Sequence, residues 1–360
     1  MFIRVLLIIV AIVISLIVVG IIILNLPIFQ VKGYSGPKND HFNGERFFNK
    51  GINFPQHSFA SFLRWKFGST KEKWPEVIKN AKQYPYISWE SDNTSNLRYT
   101  FINHSTVLLE VDGIRILTDP IFSERASPFS FIGPKRVRPP SIKLENIPKI
   151  DVILVSHNHY DHMDINSLKY LSDKFQPIIL TGLGNKNYLN KFGIKNIIEL
   201  DWQNHYEFKE NNINDHLVSF IFLPAQHWSV RGIGDRNKTL WGAFLIQTKL
   251  FKIYFAGDTG YGKHFSYVYD QFGAIDLALL PIGAYEPRWF MEAQHINPEE
   301  AVIASKDLHA NKAIAIHFGT FQLANESINQ PMIDLEKAKE KYKVNNFIVP
   351  QFGISEVIEK

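Results

Sequence analysis

From Val5 to Phe29 the chain is apolar apart from Ser15, Gly20 and Asn25. No polar face recurs at helical spacing, so the pattern predicts a helix with apolar surroundings on every side. About 20 such residues span a bilayer. A cleaved secretory leader has an apolar core of about 7–15 residues and a small-x-small cleavage site, and Leu24-Asn25-Leu26-Pro27 offers no such site. Residues 1–30 therefore read as an uncleaved, single-pass membrane anchor. Arg4 precedes the span, and Lys32, Lys38, Arg46 and Lys50 follow it. A count of flanking cations leaves both orientations open.

Residues 31–95 carry no clean period but are rich in aromatic and basic residues: Phe59, Phe62, Leu63, Arg64, Trp65, Lys66, Phe67 and Trp74. Ser61–Phe67 fits a short amphipathic helix lying at a membrane interface; the other reading of the segment is a strap packed on the following domain. Beyond residue 96 short apolar strands alternate with helices. Tyr99–Phe101, Thr106–Val111 and Ile114–Thr118 read as strands, with a hairpin turn at Asp112-Gly113. Ile150–Val155, Ile178–Leu180, Leu217–Leu223, Thr239–Thr248, Lys252–Ala256 and Ala313–Ile316 continue the series. Asp164–Phe175, Pro298–Leu308 and Met332–Tyr342 read as helices, with Asn297 and Pro298 forming a helix start. Residues 96–360 are long enough for one large α/β domain.

Composition adds exclusions. With 39 basic and 35 acidic side chains the net charge is +4, too mild for a nucleic-acid partner. The chain has no cysteine, which rules out disulfides without naming a compartment. Lys135, Arg136 and Arg138 form a local basic cluster in a proline-bracketed loop, where they would face either solvent or anionic headgroups.

The chemistry concentrates in Ser156-His157-Asn158-His159-Tyr160-Asp161-His162, directly after an apolar strand. Imidazole is a borderline-soft metal ligand and carboxylate a hard one. In an extended segment alternate side chains share a face, so His157 and His159 project together, while Asp161 and His162 fall past the turn and can reach a second ion. His227, Asp258 and His317 each follow a later apolar strand, where further ligands of a two-ion site would be expected. His41, His57, His205, His216, His264 and His309 lack such context and read as surface or loop residues.

This His-x-His-x-Asp-His run, followed by a distant His, Asp and His, resembles the metal signature of the metallo-β-lactamase superfamily. Leu117–Phe122, Ile132–Pro140, Ala256–Tyr261, Pro281–Met291 and Gln294–Ala301 resemble one branch of it: the N-acylphosphatidylethanolamine-hydrolysing phospholipase D enzymes and their bacterial relatives. The likeness runs from about Tyr99 to Ile354. It implies a four-layer αββα sandwich with metals at one edge, which suits the strand and helix pattern. It also implies two zinc ions per chain, one held by His157, His159 and His227, the other by Asp161, His162 and His317, with Asp258 bridging both. Asp119 would support the site without ligating.

Chemically, a water shared by two zinc ions is deprotonated near neutral pH and can attack phosphorus with no nucleophilic side chain. Asp161, Asp258 and His295 would then be the catalytic groups. Gln294, His295, His104 and Arg138 are candidates to contact substrate, and Trp228, Trp289, Phe290 and Met291 to line an acyl cavity. The resulting expectation is a membrane-anchored zinc phosphodiesterase acting on a phospholipid at a bilayer. The alternatives are a hydrolase of a sugar-phosphate lactone or another phosphodiester, and a non-catalytic membrane binding module. The last would be expected to have lost ligands, yet none of the seven positions is missing. Oligomeric state is not legible in the sequence.

Overall fold

The structure is a computed structural model that describes residues 2–24, 26, 29–52, 58–68, 70–89, 96–209 and 217–360. Two mixed sheets of seven strands each dominate it. The first contains β1 (Asn96–Asn103), β2 (Thr106–Val111), β3 (Ile114–Thr118), β4 (Val152–Val155), β5 (Ile178–Gly182) and β6 (Ile197–Leu200). The second contains β7 (His205–Lys209), β8 (Leu217–Leu223), β9 (Ala243–Gln247), β10 (Lys252–Phe255), β11 (Leu277–Pro281), β12 (Lys312–Ile316) and β13 (Phe347–Ile348). The last strand, β14 (Ser355–Glu359), returns to the first sheet beside β1. The helices are α1 (Phe2–Leu24), α2 (Phe59–Gly68), α3 (Ile165–Phe175), α4 (Lys186–Asn190), α5 (His264–Phe272), α6 (Arg288–Met291), α7 (Pro298–Asp307) and α8 (Gln330–Tyr342).

The sheets pack face to face. Tyr99, Phe101, Val152 and Leu154 of the first belong to one core with Phe220, Phe222, Phe244 and Ile246 of the second. The intervening residues Ile102, Ile153 and Val155 turn to the other face, under Leu168 and Leu171 of α3. Phe265 of α5, Val302 of α7 and Leu335 of α8 join the core of the second sheet. Burial on both faces explains why β4 is an unbroken Val-Ile-Leu-Val run rather than an alternating one. The result is an αββα sandwich.

Strand direction positions the site. β3 and β4 run parallel, and β1 shares their direction because two antiparallel steps separate it from β3. In the second sheet β8 and β10 are each antiparallel to β9, and β10, β11 and β12 are parallel. The C-terminal ends of β8, β10 and β12 therefore lie along one edge.

Some expected boundaries shift. The strand read from Thr239 begins at Ala243. At Gly242 the chain presses so close to β8 that an added Cβ would sit 2.5 Å from Leu223 O, and Gly242 N bonds Ser156 O at 3.0 Å instead of a ladder partner. Asp164 is the N-cap of α3 rather than its first residue, its side chain accepting from Asn166 N. α7 begins as expected, with Asn297 and Glu300 forming a capping box around Pro298. β14 escaped the sequence reading because Ser355–Glu359 alternates exposed and half-buried positions without a strong apolar face.

In α1, Phe2–Gly20 has a mean hydropathy of 3.3 and no buried residue, so it is long and apolar enough to cross a membrane. Residues 29–52 fold onto the sandwich, with Phe42 and Phe47 fully inside the core. His41, expected at the surface or in a loop, lies in a loop but is not exposed: its ring is buried, lies 2.6 Å from Asp40 Oδ1 and 2.7 Å from Asp201 Oδ1, and stacks on Trp202. His57 and His216 lie outside the described residues.

Phe244 is fully buried at the interface of the sheets. Phe244→Ala should lower unfolding free energy by about 3–5 kcal/mol, read as a lower denaturant midpoint with unchanged slope for the full chain in detergent.

Candidate metal centre

Every chemistry-bearing motif arrives at this edge: His104 after β1, Asp119 after β3, residues 156–162 after β4, His227 after β8, Asp258 after β10 and His317 after β12. Three of them sit in left-handed backbone, with φ of 47° at His104, 30° at Asp119 and 61° at His317. Such strain costs on the order of 1–3 kcal/mol per residue and persists here because the backbone is tied down. His317 N donates to His104 O at 2.7 Å, and Asp119 N to Leu154 O at 2.8 Å.

In the first group His159 Nδ1 lies 2.8 Å from His157 Nε2 and 3.3 Å from His227 Nε2. Neighbouring groups decide the protons. Ser156 Oγ donates to Asp119 Oδ2 at 2.6 Å, so it accepts from His157 Nδ1 at 2.9 Å. His227 Nδ1 donates to Gln294 O at 2.9 Å. His157 Nε2 and His227 Nε2 are therefore lone pairs aimed at one point beside His159. Converging lone pairs repel unless a cation lies among them, and three nitrogen donors suit a first-row divalent metal.

The second group is richer in oxygen. Asp258 Oδ2 lies 3.1 Å from His162 Nε2, 3.2 Å from His317 Nε2, 3.9 Å from His157 Nε2 and 4.0 Å from His227 Nε2, so it stands between the two groups. Asp161 Oδ2 is 3.2 Å from His162 Nε2 and 3.4 Å from His317 Nε2. His162 Nδ1 donates to Asp119 Oδ2 at 2.6 Å, which turns its Nε2 toward the carboxylates. Asp258 Oδ1, His159 Nε2, His162 Nε2 and His317 Nδ1 are buried without a hydrogen-bond partner. Buried polar atoms are ordinarily paired, so this cluster is built for divalent metal.

The titration behaviour has the same origin. Burial holds His159 and His227 down to about 3 and His157 well below its ordinary range. Burial also opposes charge on His317, but Asp258 and Asp161 beside it hold it up to about 9. One set of imidazoles is thus neutral and lone-pair-bearing, while the other answers two carboxylates.

Asp119 accepts three hydrogen bonds, from Ser156 N, Ser156 Oγ and His162 Nδ1. It orients ligands from behind. Asn49 is a positioning residue that sequence reasoning missed: its amide clamps the main chain of His227, donating to His227 O at 2.8 Å and accepting from His227 N at 3.2 Å. No local signal marks it, because the contact spans 178 positions.

A cavity of about 380 Å³ opens beside the cluster. Its polar wall includes His159, Asp161, Asp258, Gln294 and His295; its apolar wall includes Trp65, Trp228, Phe290, Met291 and Leu323. His295 Nδ1 is 3.8 Å from Asp258 Oδ2 and has no hydrogen-bond partner. The other expected contacts lie elsewhere. His104 is buried within the cluster rather than on the cavity wall, its Nε2 3.0 Å from Asp161 Oδ2 and in one potential ligand group with Asp161, His162 and His317. Arg138 lies over the Phe352 ring at 4.3 Å, and Trp289 is not on the cavity wall. Arg136 turns inward to donate to Ser123 O and Ile121 O, so the basic loop is not a uniform cationic surface. Guanidinium donors are spent on loop carbonyls because a buried carbonyl needs a partner. Arg236, over the Trp228 ring at 4.1 Å, is the arginine on the cavity wall.

Two packed sheets with a buried His/Asp cluster at one edge define a metal-dependent hydrolase. Residues 114–318 match the beta-lactamase superfamily domain, and the chain belongs to that metal-binding superfamily. It is 39% identical over 271 residues to N-acyl-phosphatidylethanolamine-hydrolyzing phospholipase D 1 of Caenorhabditis elegans, covering 72% of this chain and 75% of that protein. It is 41% identical over 244 residues to the mitochondrial N-acyl-phosphatidylethanolamine-hydrolyzing phospholipase D of Saccharomyces cerevisiae, covering 67% of this chain but 51% of the yeast protein. The metallo hydrolase Igni18 of Ignicoccus hospitalis shares the fold, with a TM-score of 0.55 at 20% identity over 74% of this chain and 99% of that one.

Asp119→Asn retains one acceptor oxygen for three donors. It should weaken metal binding by about 10–100-fold, measured by competition with a chromogenic chelator, without unfolding the protein.

Proposed function

We propose that this protein is a membrane-anchored binuclear zinc phosphodiesterase that hydrolyses N-acylphosphatidylethanolamine to phosphatidic acid and an N-acylethanolamine. The observation that carries the reading is the conjunction of two relatives at about 40% identity named for this activity with a cavity that joins a His/Asp cluster to an apolar wall. Residues 1–30 act as the anchor, 31–95 as a strap and 96–360 as the hydrolase unit.

His157, His159 and His227 would hold one zinc, Asp161, His162 and His317 the other, and Asp258 would touch both. When bound, the pair supplies Lewis-acid charge and a water acidic enough to ionise at about pH 7. The chain's own residues do the rest. Gln294 and His295 face the cavity, where they would orient the phosphodiester; burial holds His295 down to about 3, so its neutral ring would relay a proton from the attacking water to the departing ethanolamide oxygen rather than hold one beforehand. Trp65, Phe290, Met291 and Leu323 exclude water and receive acyl chains. The elements of one water are added across the phosphorus–oxygen bond: hydroxyl to phosphorus, proton to the leaving oxygen.

The test is release of N-acylethanolamine from substrate in mixed micelles by metal-analysed full-length protein. Wild type should release it, and Asp258→Asn should lose more than about 100-fold, beyond the usual effect of a residue behind the ligands. No release from protein carrying about two metals per chain would discard the substrate. Chelation should abolish activity, and added zinc should restore it.

A further inference from the structure

Four separate segments line the metal cavity, and each places at least one side chain in its wall and an apolar neighbour in solvent. On α2, Phe62 and Trp65 line the cavity, while Leu63 and Phe67 are exposed, Phe67 by 81%. Ala126 lines it, and the same loop exposes Phe131 by 76% and Ile132 by 59%. Val230 lines it beside exposed Ile233, and Phe290 beside exposed Trp289. Single exposed apolar residues are unremarkable, whereas exposed apolar residues on four segments that all line one cavity mark a surface that meets another phase or partner.

The Phe131 loop is built to present its tip. Arg125 donates to Ser130 O at 3.1 Å and to Gly133 O at 2.6 Å, and Ala126 N bonds Pro134 O at 3.0 Å. These bonds satisfy the carbonyls of Ser130, Gly133 and Pro134 on either side of the tip, which lowers the cost of taking it out of water.

The chain leaving α1 is pinned to the same rim. Asp235 accepts from Val31 N at 3.0 Å and from Arg231 N and Gly232 N at 3.1 and 2.9 Å. Gln30 donates to Ile233 O at 3.1 Å, and the Phe29 ring lies 5.4 Å from Phe129, whose ring is 5.5 Å from Phe131. Residues 29–31, which follow the helix able to cross a membrane in the chain, are therefore held beside the exposed apolar residues.

We infer that this rim is the membrane-docking face: Phe131, Ile132, Ile233, Leu63 and Phe67 enter one leaflet around the cavity mouth, so that a lipid slides from the leaflet to the metal cluster without crossing water. Arg64 and Lys66 on α2 are left at headgroup level. The inference rests on reading α1 as an anchor; it adds which surface of the hydrolase faces the bilayer.

The absence of cysteine makes the test direct. Single cysteines replace Phe67, Ile132 or Ile233, and as controls Val13 within α1 and Glu336 on α8, which contributes nothing to the cavity. Each is labelled with a polarity-sensitive fluorophore, and the full chain is reconstituted in phosphatidylcholine vesicles carrying brominated acyl chains. Labels at 67, 132 and 233 should shift to the blue and be quenched from shallow depth, about 5–10 Å into the interface, while the label at 336 stays bright. Quenching at 13 alone would overturn the docking face while leaving the anchor intact. Shielding at 132 that rises with protein concentration in detergent, without lipid quenching, would assign the rim to a second copy and also overturn it. Since no turnover is read, failure of the proposed substrate leaves this result untouched.

Discussion

The burial of mutually repelling donors at one sheet edge is the constraint on which the rest depends. Imidazole lone pairs and carboxylate oxygens converge within about a hydrogen-bond length of Asp258 Oδ2, although each would be better solvated apart. They stay together because strands on both sheets point their C-terminal ends at one place and the backbone there is tied in strained conformations. The scaffold thus holds the ligands in advance. That is what a metal-dependent hydrolase requires, since ligand geometry sets how an ion acts on substrate.

Proton placement completes the arrangement. Ser156, Asp119 and the carbonyl of Gln294 hold the outer nitrogens of His157, His162 and His227, and in doing so choose which nitrogen faces inward. Gln294 thereby joins the two sides of the site: its carbonyl orients a ligand, and its side chain faces the cavity beside His295. The N-terminal strap joins them as well. Asn49 grips the main chain of His227, and the residues just after α1 are bound to the loop that carries Val230 and Arg236. The segment from residue 29 onward is therefore part of the folded hydrolase.

Elements whose chemistry is local can be read directly from the order of residues. A His-x-His-x-Asp-His run after a doubly buried strand, an apolar span long enough to cross a membrane, and a capped helix at Asn297 are legible because backbone period, solvation and capping act over a few residues. His227, Asp258 and His317 were readable only as residues following strands; their meeting depended on the resemblance until strand direction supplied it. The remaining roles depend on long-range packing. Arg138 and Trp289 carry the right chemistry for substrate contact but are not on the cavity wall, His104 lies among the metal ligands rather than against substrate, and His41 is buried between two carboxylates. Asn49, Trp65 and Arg236 reach the site from segments with no motif. Such roles arise from contacts between residues far apart in the chain, and no local pattern encodes which side chain another element will meet.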